Sequence, residues 1–165
     1  MGGTQAAVSG VLAALLAVQR GGRGRFVDIS MAHEVLRHHV LAAITLKSTG
    51  RVPAAGRDLL CGGAPCYAVY RTSDGRHLAV GALEAKFWQA VSTTVGRPEW
   101  GHQHWSSGLE IGSPASMALK AEVAALIASR PLAHWTTLFE PVDACVTPVL
   151  RLDETLSHPL FASRA

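Results

Sequence analysis

Apolar residues in the first third of this chain follow two spacings, and each predicts a different environment. Residues 4–19 are alanine- and leucine-rich on nearly every helical face, which a helix tolerates when it is covered on all sides. Residues 31–47 repeat apolar positions at helical spacing and predict an amphipathic helix. Between them, FVDIS at 26–30 reads as a short strand. Together these patterns predict part of a layered α/β domain.

Beyond residue 66 the pattern changes to shorter elements. YAVYRT and HLAVG flank SDGR, and the Asp-Gly pair predicts a β-hairpin between them. Helices are predicted over 84–95, over 114–130, where Ser113 and Pro114 form a cap and first turn, and over 131–139. DACVTPVL then reads as a final strand. This half therefore predicts a compact α+β unit.

The connection between the two halves is rich in turn residues. Residues 48–66 contain four glycines and two prolines, which predicts an extended connection and a domain boundary. We accordingly divide the chain into a fragment of a larger α/β layer with a linker helix (1–47), a connecting loop (48–66), a small α+β domain (67–150) and a C-terminal linker segment (151–165).

Composition and charge narrow the classes of function. The 165 residues are 48% hydrophobic and 16% charged, so the surface is poor in charge and part of it is expected to face a partner. The formal charge of +3 comes from scattered arginines without a basic run, which argues against nucleic acid binding. The apolar run at 6–18 has nothing basic before it and is short for a membrane span. We therefore predict a buried helix and no membrane association.

The cysteines, the histidines and the glycines predict no metal site, no disulfide framework and no phosphate-binding loop. The three cysteines include no CxxC pair, so neither a disulfide framework nor a zinc site is predicted, and a reducing cytoplasm is the expected compartment. Cys61 and Cys66 have no evident activating partner and are expected to be packing thiols. His33, His38 and His39 share a helix but lack the glutamate spacing of a zinc site, and no phosphate-binding glycine motif occurs.

Glu84 is the most informative ionisable residue. It follows Gly81, Ala82 and Leu83 where a strand is predicted to end and a helix to begin, so a substrate could approach the backbone closely there. The alternative is a glutamate that only favours the positive end of the helix dipole. Spacing alone does not decide between these two interpretations.

Three separated segments resemble a known family. GRGRFVDISM, GGAPCYAVYRTSDGRHLAVGALEAKFW and DACVTPVL are similar to the corresponding segments of the family III CoA-transferases, the CaiB/BaiF group, and most closely to its α-methylacyl-CoA racemase branch. The resemblance implies a mixed α/β (α+β) fold: part of a Rossmann-like large domain and linker helices, followed by a small α+β domain. In the family, two chains thread through each other as interlocked rings.

The resemblance also implies roles for individual residues. Glu84 matches a glutamate that supports a catalytic histidine of the large domain. Tyr67 matches a tyrosine of the substrate pocket, and the Gly62 and Gly63 loop runs beside it. In the racemases a histidine and an aspartate exchange the proton α to the acyl-CoA thioester, whereas in the transferases the aspartate is a nucleophile.

The resemblance also implies what activity and which partners to expect. The family's catalytic aspartate and histidine fall upstream of Met1 and its ring-closing segment falls beyond residue 165, so the chain is expected to be truncated at both ends and inactive alone. A coenzyme A thioester is the candidate ligand, with no other cofactor and no metal. A homodimer through the apolar N-terminal helix is expected. The alternatives are a stand-alone binding or assembly module and one half of a split enzyme.

Overall fold

A computed structural model describes residues 1–52 and 54–163 of the chain. The chain divides into two compact units, Met1–Pro53 and Ala54–Ala165. The division falls inside the predicted connection 48–66. Each unit has its own character.

The first unit is helical. Its three helices are α1 (Gly2–Gln19), α2 (Met31–His38) and α3 (Val40–Thr49). No described residue of this unit is buried, so the burial predicted for the N-terminal helix is not found within the single chain. The helix pattern was correct, but nothing in the described part of this unit is large enough to cover every face of α1.

Helix α1 is also longer than the apolar run that predicted it. In the described part of the chain, α1 alone is long and apolar enough to cross a membrane, so the expectation that the run falls short of a span was wrong. This property concerns length and composition only, and core helices of soluble proteins share it.

The segment FVDIS forms no strand, contrary to the sequence prediction. A β-strand needs a partner for its backbone groups, and the described residues of the first unit contain no other strand. The segment instead runs beside α1, where a Cβ placed on Gly10 would lie 3.0 Å from Val27 Cγ1 and 3.5 Å from Ile29 Cδ1. Gly10 therefore permits the close approach.

The helix predicted over 31–47 is broken at His39, whose ψ of 31° is not helical. One local cause is the ring of His38, whose Nδ1 donates to the Glu34 carbonyl at 2.6 Å. That carbonyl is the acceptor an uninterrupted helix would use for the His38 amide, so the side chain competes with the helical hydrogen bonds. The start of α2 is well defined, because Ser30 Oγ accepts from the His33 amide.

The second unit combines a three-stranded antiparallel sheet with helices. Its strands and helices are β1 (Tyr67–Arg71), β2 (His77–Gly81), α4 (Ala85–Thr94), α5 (Pro114–Ile127), α6 (Leu132–Phe139), β3 (Val146–Pro148), α7 (Leu152–Ser157) and α8 (Pro159–Ala162). The strand order is β1-β2-β3. This mixed helix and sheet architecture confirms the predicted fold class.

The hairpin between β1 and β2 forms where the Asp-Gly pair predicted it. The Thr72 amide donates to the Arg76 carbonyl at 2.9 Å, and the Gly75 amide donates to the Thr72 carbonyl at 3.0 Å. Gly75 has a φ of +76°, which suits glycine in a three-residue hairpin loop. The caps predicted from sequence also form, since Ser113 Oγ accepts from the Ser116 amide at the start of α5.

One face of the sheet packs on helices and forms the core. Tyr70, Leu78 and Val80 alternate with exposed or half-buried neighbours and are at most 4% exposed. The core also contains Trp88 and Trp100, whose rings are stacked with their centroids 6.4 Å apart. The Trp88 indole donates to the Trp100 carbonyl at 2.8 Å, so this burial leaves its one polar group satisfied.

The predicted extended connection is partly structured. Leu59–Gly63 forms a kinked helical turn, which begins at Asp58, whose carboxylate accepts from the Leu59 amide at 2.7 Å. The turn belongs to the second unit and forms one wall of the site described next.

Candidate functional site

A cleft of about 470 Å³ lies on the face of the sheet that does not pack on the core. Tyr67 and Val69 alternate with core residues along β1, and Val69 pairs with Ala79 of β2. Small side chains on β2 leave room above the sheet. The remaining walls come from the Leu59–Gly63 turn, from α5 and from the residues before β3. The lining includes Cys61, Gly62, Tyr67, Val69, Ala79, Gly81, Lys120, Cys145 and Thr147.

The glycine turn is held against α5 by hydrogen bonds to two successive carbonyls. Ser116 Oγ donates to the Gly63 carbonyl at 2.8 Å, and Lys120 Nζ donates to the Gly62 carbonyl at 2.5 Å. Ser116 is fully buried, so its hydroxyl needs such a partner. These contacts fix the wall of the cleft opposite the sheet.

Gly63 is required by sterics. A Cβ at this position would lie 2.5 Å from the Arg57 carbonyl oxygen and 2.8 Å from that of Asp58, both well inside van der Waals contact. Gly62 has a φ of +90°, a conformation that favours glycine. The two glycines therefore serve the turn for different reasons, one through space and one through backbone geometry.

The strand end nearest Glu84 is also restricted to a small residue. The Gly81 amide donates to the Cys145 carbonyl at 2.8 Å, and a Cβ on Gly81 would lie 3.3 Å from that oxygen. Cys145 itself has a φ of +52°, which is uncommon for a residue with a side chain. The chain thus passes close beside β2 just before β3 begins.

Glu84 lies at the N-cap of α4, three residues beyond Gly81. Its side chain is exposed and makes no cap hydrogen bond, and no ion pair involves it among the residues that the structure describes. It does not line the cleft. The structure therefore brings Gly62 and Tyr67 into one cavity, keeps Gly63 in the adjoining turn and leaves Glu84 outside it.

The backbone directly before Glu84 is held by two aromatic side chains that the sequence analysis did not select. His104 Nε2 and Trp105 Nε1 both donate to the Leu83 carbonyl, at 3.0 and 2.9 Å. His104 is 1% exposed, and its Nδ1 accepts from the Ser106 amide at 3.2 Å. Burial lowers the pKa of His104, which agrees with a neutral ring that donates from Nε2 and accepts at Nδ1.

No sequence signal identifies this contact, because His104 and Leu83 are 21 residues apart in segments of different character. In the described part of the chain, no cluster of three or more histidine, cysteine, aspartate or glutamate residues could hold a metal ion.

Burial also distinguishes the cysteines. It raises the pKa of Cys66 to about 11, which makes that thiol unreactive at neutral pH, as predicted for a packing residue. Cys61 and Cys145 are free and exposed and both line the cleft. The packing role predicted for Cys61 therefore does not describe its surroundings, because the turn that carries it faces the cleft rather than the core.

Comparison with known proteins identifies the family and the relatives that this chain resembles. The sequence pattern described as CoA-transferase family III matches residues 1–165. The α-methylacyl-CoA racemase of Mus musculus is 32% identical over 99% of this chain and 42% of its own length. The Homo sapiens racemase of the same name is 31% identical over 95% of this chain and 40% of its own length.

Solved structures show a similar fold. A crystal structure of the hypothetical protein Rv3272 from Mycobacterium tuberculosis has a TM-score of 0.69 and 20% identity, and the match covers 99% of this chain and 42% of that protein. The chain thus spans about two fifths of the length of the curated relatives it matches.

Proposed function

Since this chain belongs to CoA-transferase family III, we propose that its second unit forms one side of a binding site for an acyl-CoA thioester. The observation that carries this proposal is the family match over the whole length, with racemase relatives above 30% identity. The cleft beside the sheet supports it, because Gly62 and Tyr67, two of the three residues that the resemblance assigns to the substrate pocket, share its lining.

Each of the remaining site residues has a role in this proposal. Gly63 holds the turn that forms the wall, and Tyr67 lines the cleft beside the acyl group. Glu84 presents a carboxylate at the start of α4 that pairs with no described residue, and there it can accept a hydrogen bond from a catalytic histidine. The backbone contact of His104 and Trp105 with Leu83 fixes the direction in which the chain enters that helix.

The chemistry of the family needs groups that these residues do not supply. Moving the proton α to a thioester with inversion requires a base and an acid on opposite faces of the carbon, and CoA transfer requires a nucleophilic carboxylate. The resemblance assigns these tasks to a histidine and an aspartate that it aligns outside residues 1–165. We therefore expect residues 1–165 alone to bind acyl-CoA without turning it over. We propose the cytoplasm as the compartment.

Calorimetric titration of the purified chain with a 2-methylacyl-CoA, beside free CoA, tests the binding proposal. We expect the thioester to bind more tightly than free CoA, and Tyr67→Ala to weaken the thioester preference. Glu110→Gln, an exposed change away from the cleft, is the control and should leave binding unchanged. Equal affinity for both ligands, or no binding of either, would contradict the proposed site.

Deuterium exchange at the α-carbon tests the absence of turnover. The purified chain in deuterium oxide should leave the α-proton of the bound thioester in place. Exchange that Glu84→Gln abolishes and Glu110→Gln preserves would show that the chain holds a complete proton-transfer site, and the proposal of inactivity would fail.

A second candidate function is assembly through helix α1. Its exposed large apolar side chains, among them Leu12, Leu15 and Leu16, are between 45% and 61% exposed. Burying such side chains stabilises an association by roughly 25 cal/mol for each Å² of apolar surface. We therefore propose that α1 packs against a second copy of the chain in a homodimer.

Sedimentation velocity at micromolar concentration tests this assembly. The wild-type chain should sediment as a dimer, whereas the double substitution Leu12→Gln and Leu16→Gln should sediment as a monomer. Leu156→Gln, on the exposed surface of α7, is the matched control and should leave the dimer intact. A monomeric wild-type chain would remove the basis of this candidate.

A further inference from the structure

The cleft contains a single charged side chain among its described lining residues, that of Lys120. Lys120 lies on α5, one turn after Ser116, and is half-buried. Its ammonium donates to the Gly62 carbonyl at 2.5 Å. No ion pair in the described part of the chain involves it. A positive charge therefore faces the cleft without a neutralising carboxylate.

The ammonium has more hydrogen-bonding capacity than this contact uses. A lysine side chain carries three N–H donors, and the Gly62 carbonyl occupies one. Tyr67 and Thr147, which each carry a hydroxyl, line the same cleft. The other walls are largely apolar, with Val69 and Ala79 on the sheet.

The Lys120 ammonium together with the apolar walls of the cleft suits a carboxylate better than a phosphate. An ammonium bound to a carboxylate in a partly apolar cleft forms a charge-assisted hydrogen bond, which is stronger than its neutral counterpart. A phosphate carries more charge and is usually bound by several cationic groups or by a helix N-terminus. One cation with two hydroxyl donors and apolar walls matches a singly charged carboxylate at the end of an apolar chain.

We propose that Lys120 selects an acyl group that ends in a carboxylate, so that the preferred ligand is a dicarboxylic acid joined to CoA through one of its ends. This inference rests on the proposed acyl-CoA function and adds the class of acyl group. The phosphates of CoA are a second source of negative charge, and the test separates the two sources.

The test compares ligands that differ only in the terminal carboxylate. The full chain is titrated by calorimetry with glutaryl-CoA, valeryl-CoA, free CoA and glutarate. We expect glutaryl-CoA to bind about tenfold more tightly than valeryl-CoA, in the range of a charge-assisted hydrogen bond. Lys120→Met should abolish this preference and Lys120→Arg should retain most of it. Lys86→Met, the same change on an exposed lysine of α4, should behave as the wild-type chain.

The ratio of the two affinities separates recognition from structural support. If Lys120→Met weakens glutaryl-CoA and valeryl-CoA by the same factor, Lys120 only anchors the glycine turn and the inference is wrong. Equal affinities of the two thioesters for the wild-type chain would also overturn it, and that comparison does not depend on any variant folding. If free CoA shows the same dependence on Lys120, the charge binds phosphate and the carboxylate assignment fails.

The remaining outcomes separate this inference from the function on which it rests. Binding of glutarate that depends on Lys120, with no thioester bound, would support the carboxylate site and overturn the acyl-CoA function. Binding of both thioesters without preference would keep that function and overturn the carboxylate site. No binding of any ligand would overturn both.

Discussion

The two units of this chain differ most in how many of their apolar side chains are buried. The first unit contains the most continuous apolar helix, yet none of its described residues is buried. All the buried core residues that the structure describes lie in the second unit, including the fully buried Leu78 and Trp88. A high local density of apolar residues therefore does not by itself create a core, because burial requires other elements that pack against them.

The largest expected effect comes from a leucine-to-alanine substitution made once in each unit to test this contrast. Leu78→Ala removes a fully buried side chain and should lower the free energy of unfolding by about 2–5 kcal/mol. Leu36→Ala, at a position 67% exposed on α2, should change it by less than about 0.5 kcal/mol. Urea denaturation followed by tryptophan fluorescence measures the first, and circular dichroism the second. Similar losses in both variants would show that Leu36 is buried in solution.

A second pair of substitutions compares glycines in the two units. A Cβ at residue 63 meets the carbonyl oxygens of Arg57 and Asp58, whereas one at Gly24 meets nothing within 4 Å. Gly63→Ala should therefore destabilise the second unit by about 1–3 kcal/mol, and Gly24→Ala should be close to neutral. Thermal unfolding of both variants measures this. A stable Gly63→Ala variant with unchanged ligand binding would contradict the steric role assigned to that turn.

The third prediction concerns the dependence of the second unit on pH. Burial lowers the pKa of His104 from its ordinary 6.5, so the unfolded chain takes up a proton before the folded chain does. Stability should thus be complete above about pH 6.5 and decline as the pH falls toward the folded-state pKa. His104→Gln should flatten this dependence in urea denaturation, whereas His102→Gln, at an exposed residue, should leave it as in the wild-type chain. An equal slope in both variants would argue against a neutral buried ring.

The smallest expected effects compare one ion pair from each unit. Arg76 pairs with Glu154 at 2.7 Å, and each side chain is about 30% exposed, so Arg76→Met should lower the free energy of unfolding by up to about 1 kcal/mol. Arg37 pairs with Glu34 at 2.8 Å, but the arginine is 75% exposed, and Arg37→Met should change it by at most about 0.5 kcal/mol. Denaturation at low and high salt measures both. A larger loss at Arg37 would reverse the ranking of the two units.

Local sequence signals predicted local structure well. The Asp-Gly pair predicted the hairpin, Ser113 and Pro114 predicted the start of α5, and the residues after Pro131 predicted α6. Each of these depends on backbone preferences within a few residues. The glycines also predicted a turn at 62–63, but its helical form was not predicted, because the carbonyls of Gly62 and Gly63 accept hydrogen bonds from side chains of α5.

Most of the predictions that differed depended on distant partners, although the helix break at His39 has a local cause. FVDIS has the composition of a strand, but without a neighbouring strand its backbone does not form one. The cover expected for α1 is likewise absent from the described residues. In the site, Tyr67 and Gly62 were selected through resemblance, whereas Lys120 and His104 were missed, since the first meets a residue 58 positions away and the second one 21 positions away.

The unequal surroundings of the cysteines have a practical consequence for chemical labelling. The thiols of Cys61 and Cys145 open into the cleft, while Cys66 is enclosed in the core with a pKa of about 11. An alkylating reagent at neutral pH should therefore consume two thiols per chain quickly and spare the third until the protein unfolds. A molecule seated in the cleft should slow the fast phase, so the rate of alkylation becomes a measure of occupancy.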